Sequence, residues 1–478
     1  MQNSIFCLMI LVFCQISQHS AQTLNWSGEQ IIQMNTSGST TRPRLLALGS
    51  QKGILIWGHE QNQSIQYALW ENDLLDAPQT LDIGTRKAFI TSWASTEIAG
   101  QDNMVYIVFK EDPAEMGKIY LLRSNDYGKT FTPPIPVVDP QGFYCRFPGV
   151  AMDANQQPIV SYMRFKTDWS EPAYVSIRSN DFGDTFDPYT EVTDKTKGEA
   201  CDCCPVSMET DADRIAVFYR NNRNNIRNMT AAVSLNNGKS YDITAELDTA
   251  DWLLHSCPST GGDGFFADSF LHTTWTTGRT GSTKAFYSRL NLNTQNVDGF
   301  FALTHQQGRN LQQSYPRMSG FKDTVGIVWG ELVSNMDIFF SHFTDGAFSN
   351  LSINTQRINS VTNGHQSSPD IAFANSSFYA CWQDLNDNSI KFKIGKYQIP
   401  NRNTNIETES GLNIQKSSDS YLITSKTEIK NWTLFDSNGQ VLMNGHMAKE
   451  ILLKYPKYGI YFLQLQHKAG IWLVKIII

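Results

Sequence analysis

The chain has 478 residues, of which 41% are hydrophobic, 12% aromatic and only 18% charged. This length exceeds one ordinary domain and fits a large repeat architecture with a small appended module. The formal net charge of −7 supplies no basic field for a polyanion, so we expect no nucleic-acid partner.

The first residues contain a targeting signal. An apolar run, Ile5–Phe13, is followed by polar residues and a small-residue site at Ser20-Ala21. The run is too short to span a membrane and is typical of a signal peptide, predicted here over residues 1–21. We therefore expect the protein to be secreted or displayed at the cell surface, and we expect a monomer.

A repeat with a steady period follows. Six copies begin with an X-Pro pair, and each of the seven copies contains an apolar strand that ends in an aromatic residue. The seven closing aromatics are Trp57, Phe109, Tyr162, Tyr219, Trp275, Trp329 and Trp382, spaced by 52 to 57 residues. Such a period with β-rich content predicts an all-β, seven-bladed β-propeller over residues 22–400. Pairing of Thr23–Met34 with Ile390–Ile399 would close the ring and remove free sheet edges.

Polar turns interrupt three of the copies. Residues 124–131 and 179–186 share the pattern Ser-x-Asp-x-Gly-x-Thr-Phe, and residues 234–241 are a degraded copy. They resemble the Asp-box, or BNR repeat, of sialidase-like propellers. The resemblance implies that these residues are scaffold, because their side chains cap a tight turn in which glycine supplies positive φ. Catalytic members of that family have six blades, whereas this sequence predicts seven.

The C-terminal residues have a different pattern. After a polar linker at 401–409, residues 410–478 contain a strand, Asn-Gly turn, strand unit at Leu434–Leu442 and further strands at Tyr458–Leu463 and Trp472–Ile476. This module resembles the C-terminal sorting domain of the type IX secretion system of Bacteroidetes. The resemblance implies a small β-sandwich-like fold and the secretion machinery as a partner.

Arginines recur where the propeller geometry brings segments of different blades to one face. That face is formed by the X-Pro segments and the residues after the closing aromatics. Guanidinium groups bind carboxylate and sulfate in bidentate geometry, which favours an anionic polysaccharide or glycoconjugate as partner. The predicted binding residues are Arg146, Arg164, Arg220, Arg227, Arg279 and Arg317. The alternative is that each arginine pairs with a local carboxylate.

Two catalytic schemes fit residues on the same face. Sialidases use a tyrosine nucleophile assisted by a glutamate, and the resemblance implies that Tyr315 and Glu331 could form this pair. We therefore expect a glycoside hydrolase. The alternative is a polysaccharide lyase that cleaves uronate-containing chains by β-elimination, with His59 or Tyr219 as base and Arg220 neutralising the acid group. A non-catalytic glycan-binding or adhesion propeller is the third possibility, and none of the three requires a cofactor.

Cysteines are concentrated around the fourth copy. The motif Cys201-Asp-Cys203-Cys204-Pro resembles that of uncharacterised sialidase-like bacterial propellers, while Cys145 and Cys257 occupy equivalent positions in the adjacent copies. Export favours disulfides, including a vicinal Cys203–Cys204 bond. Alternatively, these five cysteines and His255 form a ligand set for Zn or Cu(I). Cys381 lies in an apolar strand, where we expect a buried free thiol.

Overall fold

The structure is a computed structural model. It describes residues 24–32, 39–49, 51–249, 251–256, 258–279, 281–305, 310–322, 324–343, 355–397, 412–416, 420–436, 440–454, 460–467 and 470–477. The regular secondary structure of these residues consists of β-strands. No helix in this part of the chain is long and apolar enough to cross a membrane. The predicted signal peptide and the linker at 401–409 lie outside the described residues.

One compact unit spans Asn25–Lys396, and seven antiparallel sheets of four or five strands follow one another within it. The strands that begin the unit are β1 (Leu24–Trp26) and β2 (Gln30–Ile32). Blade one consists of β3 (Thr40–Ala47), β4 (Lys52–His59), β5 (Ser64–Glu71), β6 (Leu74–Leu75) and β7 (Gln79–Thr80). Blade two consists of β8 (Glu97–Gln101), β9 (Met104–Lys110), β10 (Ile119–Ser124) and β11 (Ile135–Val138).

The next two blades carry the polar and cysteine-rich segments. Blade three consists of β12 (Tyr144–Met152), β13 (Pro158–Phe165), β14 (Ala173–Arg178) and β15 (Thr190–Glu191). Blade four consists of β16 (Glu199–Ala200), β17 (Ser207–Asp211), β18 (Arg214–Asn222), β19 (Met229–Ser234) and β20 (Ile243–Glu246).

Three more blades complete the series. Blade five consists of β21 (Asp263–Ala267), β22 (Phe270–Thr277), β23 (Lys284–Asn291) and β24 (Val297–Ala302). Blade six consists of β25 (Gln313–Phe321), β26 (Thr324–Leu332), β27 (Met336–Phe343) and β28 (Gln356–Arg357). Blade seven consists of β29 (Gln366–Ala374), β30 (Ser377–Asp384) and β31 (Ser389–Tyr397), joined by β1 and β2.

The seven sheets form a closed ring. Their innermost strands contact one another in the order β3, β8, β12, β17, β21, β25 and β29, and β29 contacts β3. The closing aromatics all lie on the second strand of their blades and are buried, where they pack in the hydrophobic cores. The prediction of an all-β, seven-bladed propeller is therefore confirmed.

The N-terminal strands close the last blade. Ile31 of β2 pairs with Lys391 of β31 in antiparallel register. The Ser27 N–H donates to the carbonyl of Ile394 at 2.8 Å. This pairing occupies the outer edge of β31, which would otherwise expose unpaired backbone groups. The predicted ring closure is thus confirmed for the described residues.

The X-Pro pairs form a repeated bulge at the start of the innermost strands. The residue before proline has positive φ in four blades: Arg42 (49°), Phe147 (51°), Tyr315 (49°) and Ser368 (48°). The register of the ladder shifts at each of these points. A bulge re-aims the side chains next to it, and three of these four residues line a cavity at the central channel.

The Asp-box turns are held together by their own side chains. In the second turn, the Ser179 hydroxyl accepts the N–H of Gly183 at 2.7 Å, and Asp181 accepts both the N–H and the hydroxyl of Thr185 at 2.8 and 2.6 Å. In the degraded turn, Asn236 replaces the aspartate and accepts the N–H of Ser240 at 3.0 Å. These contacts are local, which agrees with the scaffold role implied by the resemblance.

The C-terminal strands form a second unit with its own core. It is a five-stranded sheet of β32 (Leu412–Lys416), β33 (Ser420–Asp436), β34 (Val441–Lys454), β35 (Ile460–His467) and β36 (Gly470–Ile477). Its buried core contains Ile423, Ile429, Leu434, Ile451, Leu453, Leu463 and Leu465. The two strands predicted on either side of the Asn-Gly turn pair with each other, since Phe435 lies opposite Val441, and the turn residues lie outside the described residues. The sorting role of this unit stays a prediction.

The Asp-box turns predict a pH-dependent change in stability. Hydrogen bonds from Thr185 lower the pKa of Asp181 from 3.8 to about 2, so its stabilising contribution is present above pH 3.8 and is lost as the pH falls towards 2. At pH 7 we expect Asp181→Asn to lower the thermal midpoint by about 1–3 °C, measured by calorimetry. This difference should shrink below pH 4.

The degraded turn supplies the matched control. Asn236→Asp should not raise the midpoint at pH 7, because the Ser240 hydroxyl already donates to Asp242 Oδ2 at 2.6 Å and the new carboxylate would lie beside that of Asp242. Equal midpoints for all three proteins at pH 7 would contradict this account of the turns.

Candidate functional site

A small cavity lies where X-Pro segments meet at the mouth of the central channel. Its volume is about 30 Å³, the room of roughly one water molecule. Its lining comes from blades one, four, five, six and seven and consists of Arg42, Arg44, Pro205, Val206, Ser207, Gly261, Gly262, Tyr315, Pro316, Arg317, Ser368 and Pro369. Three guanidinium groups and one phenol are therefore the chemically distinctive side chains of the lining.

Two of the three arginines are paired with carboxylates of other blades. Arg44 donates from Nε to Glu97 Oε2 at 2.8 Å and from Nη2 to Oε1 at 3.0 Å. Arg317 donates from Nε to Asp370 Oδ1 at 2.9 Å, and its Nη1 lies 3.4 Å from Asp263 Oδ1. Glu97 belongs to blade two, Asp263 to blade five and Asp370 to blade seven, so these pairs join adjacent blades.

Arg42 is the third arginine, and no carboxylate of the described residues accepts a hydrogen bond from its guanidinium group in the way described for Arg44 and Arg317. Its side chain is only 6% exposed. Its Nη2 lies 3.7 Å from Glu97 Oε1, and its Nε has no hydrogen-bond partner. Burial, with the nearby Arg44, lowers the pKa of Arg42 to about 10. Arg42 therefore remains charged at neutral pH and offers an unused donor at a cavity that it lines, which suits an anionic group.

Two carboxyl groups near Arg317 are shifted towards their protonated forms. Burial raises the pKa of Asp263 to about 6. Burial, with the charge of Asp263, raises the pKa of Glu209 on β17 to about 8. A carboxyl group that stays protonated near neutral pH can act as a proton donor. The channel thus combines fixed cations, a phenol and acidic protons.

The structure separates the predicted nucleophile pair. Tyr315 lines the cavity, whereas Glu331 is fully buried within blade six. Glu331 accepts hydrogen bonds from Gln313 Nε2 at 2.7 Å and Trp329 Nε1 at 2.9 Å and contacts His305. Its carboxylate is occupied by these structural contacts and is not part of the cavity lining. Glu331 therefore does not assist Tyr315 in this structure.

The residues expected for β-elimination are not assembled either. His59 is fully buried, and its Nδ1 accepts the N–H of Asn62 at 3.2 Å. Tyr219 is buried, its hydroxyl shares a hydrogen bond with Thr196, and burial raises its pKa strongly. Both side chains are buried and make hydrogen bonds within their own blades. Neither lines the cavity.

Three predicted arginines stack on aromatic rings away from the lining. Arg146 lies 4.2 Å from the ring centre of Trp169. Arg164 lies 4.6 Å from that of Phe143. Arg279 lies 4.9 Å from the ring centre of Phe300.

Two further predicted arginines are buried. Arg220 donates to the carbonyls of Arg227 and Thr276, both at 2.8 Å. Arg227 donates to Cys201 Sγ at 2.8 Å. Of the six predicted arginines, the cavity is lined by Arg317 alone, and the expected convergence on one rim does not occur.

The cysteine motif is brought together in part. The sulfur atoms of Cys201, Cys203 and Cys204 all lie within 4.8 Å of one another. Cys203 is disulfide-bonded, but Cys204 is a free thiol, so a vicinal bond between them is wrong. Sulfur atoms gathered in this way are a possible ligand set for a metal ion, and the Zn or Cu(I) site stays a prediction.

The other predicted ligands lie apart from these three. Cys145 is a free, buried thiol that faces the carbonyl of Gly117, and His255 is exposed. Cys257 lies outside the described residues. Cys381 is a buried free thiol, as predicted.

Sequence reasoning missed Arg42, Arg44 and the carboxylates that surround them. A signal was present, because the second residue after the bulge residue is charged in three blades: Arg44, Arg317 and Asp370. Charges of opposite sign at equivalent positions of a ring can pair across blades. The predicted arginines that follow a closing aromatic, such as Arg164, Arg220 and Arg279, do not line the cavity.

Comparisons with known proteins give only remote likenesses. No protein-family model matches the chain, and no curated protein matches it. A solved protein of unknown function from Dyadobacter fermentans is 10% identical, with 78% of this chain and 99% of that chain covered and a TM-score of 0.47.

Two solved carbohydrate-active enzymes are similarly distant. The Trypanosoma rangeli sialidase is 8% identical over 94% of this chain and 89% of that one, with a TM-score of 0.45. An ulvan lyase, solved with a saccharide that contains glucuronate, is 11% identical over 75% and 95%, with a TM-score of 0.47. These likenesses do not assign the chain to a family.

The paired arginine of the cavity gives a stability prediction. Arg317→Met leaves Asp263 and Asp370 buried without their cation, so the free energy of unfolding should fall by about 3–5 kcal/mol. Urea denaturation measures this loss. Arg279→Met, which removes an exposed arginine stacked on Phe300, should cost at most about 1 kcal/mol. Similar small losses for both variants would contradict the assigned ion pairs.

Proposed function

We propose that this protein is an exported carbohydrate-active propeller that binds the carboxylate or sulfate of an acidic saccharide at the channel mouth. The observation that carries the proposal is Arg42, a buried cation with an unused donor at the cavity. Arg44 and Arg317 add positive charge beside it, although both have carboxylate partners. A guanidinium fork in such a setting favours a planar or tetrahedral oxyanion.

The reaction that we propose is hydrolysis of a glycosidic bond. Tyr315 lies in the same lining as Arg42, which would place its hydroxyl beside the bound anionic saccharide. Tyr315 is thus the proposed nucleophile. This assignment replaces Glu331, whose carboxylate is engaged within blade six.

β-Elimination and simple binding are the other outcomes that we consider. Elimination needs a base beside the α-proton of a uronate, and the expected base residues His59 and Tyr219 are buried within blades. Binding without catalysis needs only the cationic lining. The assay below separates these cases. None of the three requires a cofactor.

The proposed location is outside the cell. The signal peptide predicted over residues 1–21 and the resemblance of residues 410–478 to a type IX sorting domain support export. The secretion machinery would then be a partner in addition to the saccharide. Detection of the protein outside the cell, with the C-terminal unit removed, would agree with this proposal.

Arginine and tyrosine substitutions at the cavity test the proposal. Purified protein is screened on sialosides, uronate polysaccharides and sulfated polysaccharides, with reducing-end release and ultraviolet absorbance of unsaturated uronate as readouts.

Arg42→Met should lower kcat/KM on the active acidic substrate about 100-fold, which corresponds to about 2.7 kcal/mol. Tyr315→Phe should abolish turnover and retain binding. Arg164→Met, on an aromatic-stacked arginine away from the cavity, is the matched control and should change kcat/KM less than twofold.

The outcomes discriminate the three functions. Reducing-end release that depends on Arg42 and Tyr315 supports the hydrolase. New ultraviolet absorbance would identify a lyase and overturn the reaction proposed here. Saccharide binding that is lost in Arg42→Met, with no product, would mean a binding propeller. Binding or turnover unchanged in Arg42→Met would overturn the site itself.

Saccharide binding should also depend on pH. The pKa of Asp263 is raised to about 6, mainly by burial, so lowering the pH through 6 removes one negative charge beside Arg317. The affinity for a sulfated saccharide, whose own charge stays constant, should therefore increase several-fold between pH 7.5 and 5. Calorimetric titration measures it, and Asp263→Asn should make the affinity independent of pH in this range. A wild-type affinity that falls on acidification would contradict the assignment.

A further inference from the structure

Another cavity lies on the same face of the propeller as the channel mouth. It is formed by the turn between β26 and β27 and by the connection from β28 to β29. Both β26 and β28 run antiparallel to β25, so they end at the face where β25 begins. The volume of this cavity is about 340 Å³, which is within the range of small-molecule binding sites. We call it the blade-six pocket.

The lining of the blade-six pocket is mainly polar. It contains two hydroxyl groups, two amides, a carboxylate and a guanidinium group, which belong to Ser334, Thr362, Asn335, Asn363, Asp337 and Arg357. A hydroxyl group of a ligand both donates and accepts a hydrogen bond. A lining in which donors and acceptors are mixed therefore suits a ligand that carries several hydroxyl groups.

Hydrogen bonds between the two connections hold the walls of the pocket in place. Asn359 donates from Nδ2 to Asp337 Oδ1 at 2.7 Å, and its Oδ1 accepts the N–H of Ile338 at 2.8 Å. Asn335 Nδ2 donates to the carbonyl of Thr362 at 3.0 Å. Walls that are already fixed lose little conformational entropy when a ligand binds.

Asp337 is a buried acceptor that the protein uses only in part. The residue is 3% exposed and lines the pocket. Its Oδ1 accepts the hydrogen bond from Asn359, whereas its Oδ2 lies 3.7 Å from Arg357 Nη1, which is too long for a hydrogen bond. No other group in the described ranges donates to Oδ2. A buried acceptor without a donor is costly, and a ligand hydroxyl in the pocket would supply that donor.

Arg357 provides donors beside this acceptor. Its side chain is 48% exposed, and its ion-pair partner among the described residues is Asp337. The positive charge of Arg357 and the negative charge of Asp337 cancel, so the charged side chains of the lining favour neither an anion nor a cation. The pocket therefore differs in chemistry from the channel mouth, where the cation Arg42 has an unused donor.

We propose that the blade-six pocket binds a neutral sugar ring. Asp337 Oδ2 accepts a hydrogen bond from one ring hydroxyl, and Arg357 donates to a neighbouring oxygen. Val333, which is 38% exposed and also lines the pocket, offers apolar surface to the C–H groups of the ring. The choice of a sugar over other polyhydroxylated molecules rests on the proposed function, whereas the fit to hydroxyl groups follows from the pocket itself.

The position of the pocket allows one saccharide chain to occupy both sites. Ser314 of β25 pairs with Gly330 of β26, which pairs with Ile338 of β27. The pocket is thus displaced from the innermost strand by two strand spacings, about 10 Å. A saccharide of a few units spans this distance, with an acidic unit at the channel mouth and a neutral unit in the blade-six pocket.

Titration of the full-length protein with neutral glycosides tests the proposal. The probes are the methyl glycosides of glucose, galactose, mannose and xylose, and saturation-transfer NMR detects weak binding of each. At least one should bind. Arg357→Met should weaken this binding about tenfold, because a hydrogen bond from a charged donor is lost. Asn363→Trp, at an exposed position of the lining, should abolish the binding by filling the pocket.

A matched control comes from blade four. Arg223, which follows β18, is 40% exposed and pairs with Asp251, so Arg223→Met removes a similar arginine far from the pocket along the ring. This variant should bind the glycoside as the wild type does. Thermal midpoints of the three variants show whether each one folds, and the two pocket variants test the site independently of each other.

The outcomes are distinct from those of the channel-mouth assay. Failure of all four glycosides to bind would overturn the proposal, as would binding that is unchanged in both Arg357→Met and Asn363→Trp. Displacement of the glycoside by sulfate at constant ionic strength would indicate an anion site and would overturn the neutral assignment. Glycoside binding that depends on Arg357, in a protein that binds no acidic saccharide, would support this pocket and contradict the proposed function.

Discussion

A belt of buried ion pairs and hydrogen bonds around the central channel is the constraint on which the rest of the structure depends. We define it by Glu97, Arg44, Asp370, Arg317 and Asp263. Asp370 accepts the N–H of Leu45 at 2.7 Å as well as the guanidinium of Arg317, and Asp263 accepts the N–H of Met318 at 2.8 Å. The belt therefore ties blades two, one, seven, six and five in the order in which they contact one another. Removing one charge would leave its partners buried without an opposite charge. This lowers the free energy of unfolding far more than the loss of a surface ion pair does.

The belt also explains why the arginines at the channel mouth differ in their hydrogen bonding. Arg44 and Arg317 are held by carboxylates, whereas Arg42 projects from the bulge before Pro43 with an unused donor. The bulge is thus more than a way to begin a blade, because it places Arg42 and Tyr315 at the cavity in two different blades. The belt fixes the walls, and the bulges place Arg42 and Tyr315 in the lining.

The sequence predicted the architecture well because a propeller repeats its packing. Each closing aromatic fills an equivalent position in a hydrophobic core. Aromatic residues such as Trp57 and Trp329 therefore recur at a regular spacing, even though the copies differ elsewhere. The site was harder to predict because it depends on pairings between blades that are far apart in sequence. Arg44 and Asp370 are ordinary charged residues until the ring is closed. Glu331 and His59 appeared catalytic by residue type, and only burial and hydrogen bonding showed their local roles.

Two predicted ligand-binding arginines have a different role. Arg220 and Arg227 lie behind the Cys201–Cys204 loop, where Arg220 donates to backbone carbonyls and Arg227 donates to Cys201. Their spacing in the sequence does not reveal this, because the contact runs from β18 and its following turn back to the loop between β16 and β17. The propeller therefore contains two chemically distinct centres, one cationic at the channel mouth and one built from sulfur in blade four.

The central claim is that the unused donor of Arg42 marks the position of an anionic group. A crystal structure of the protein with an acidic saccharide bound tests this most directly. The account predicts that a carboxylate or sulfate oxygen lies within hydrogen-bonding distance of Arg42 Nε, with the saccharide in contact with Tyr315. A saccharide bound elsewhere, with Arg42 turned to a protein carboxylate and the channel mouth filled by side chains, would contradict it.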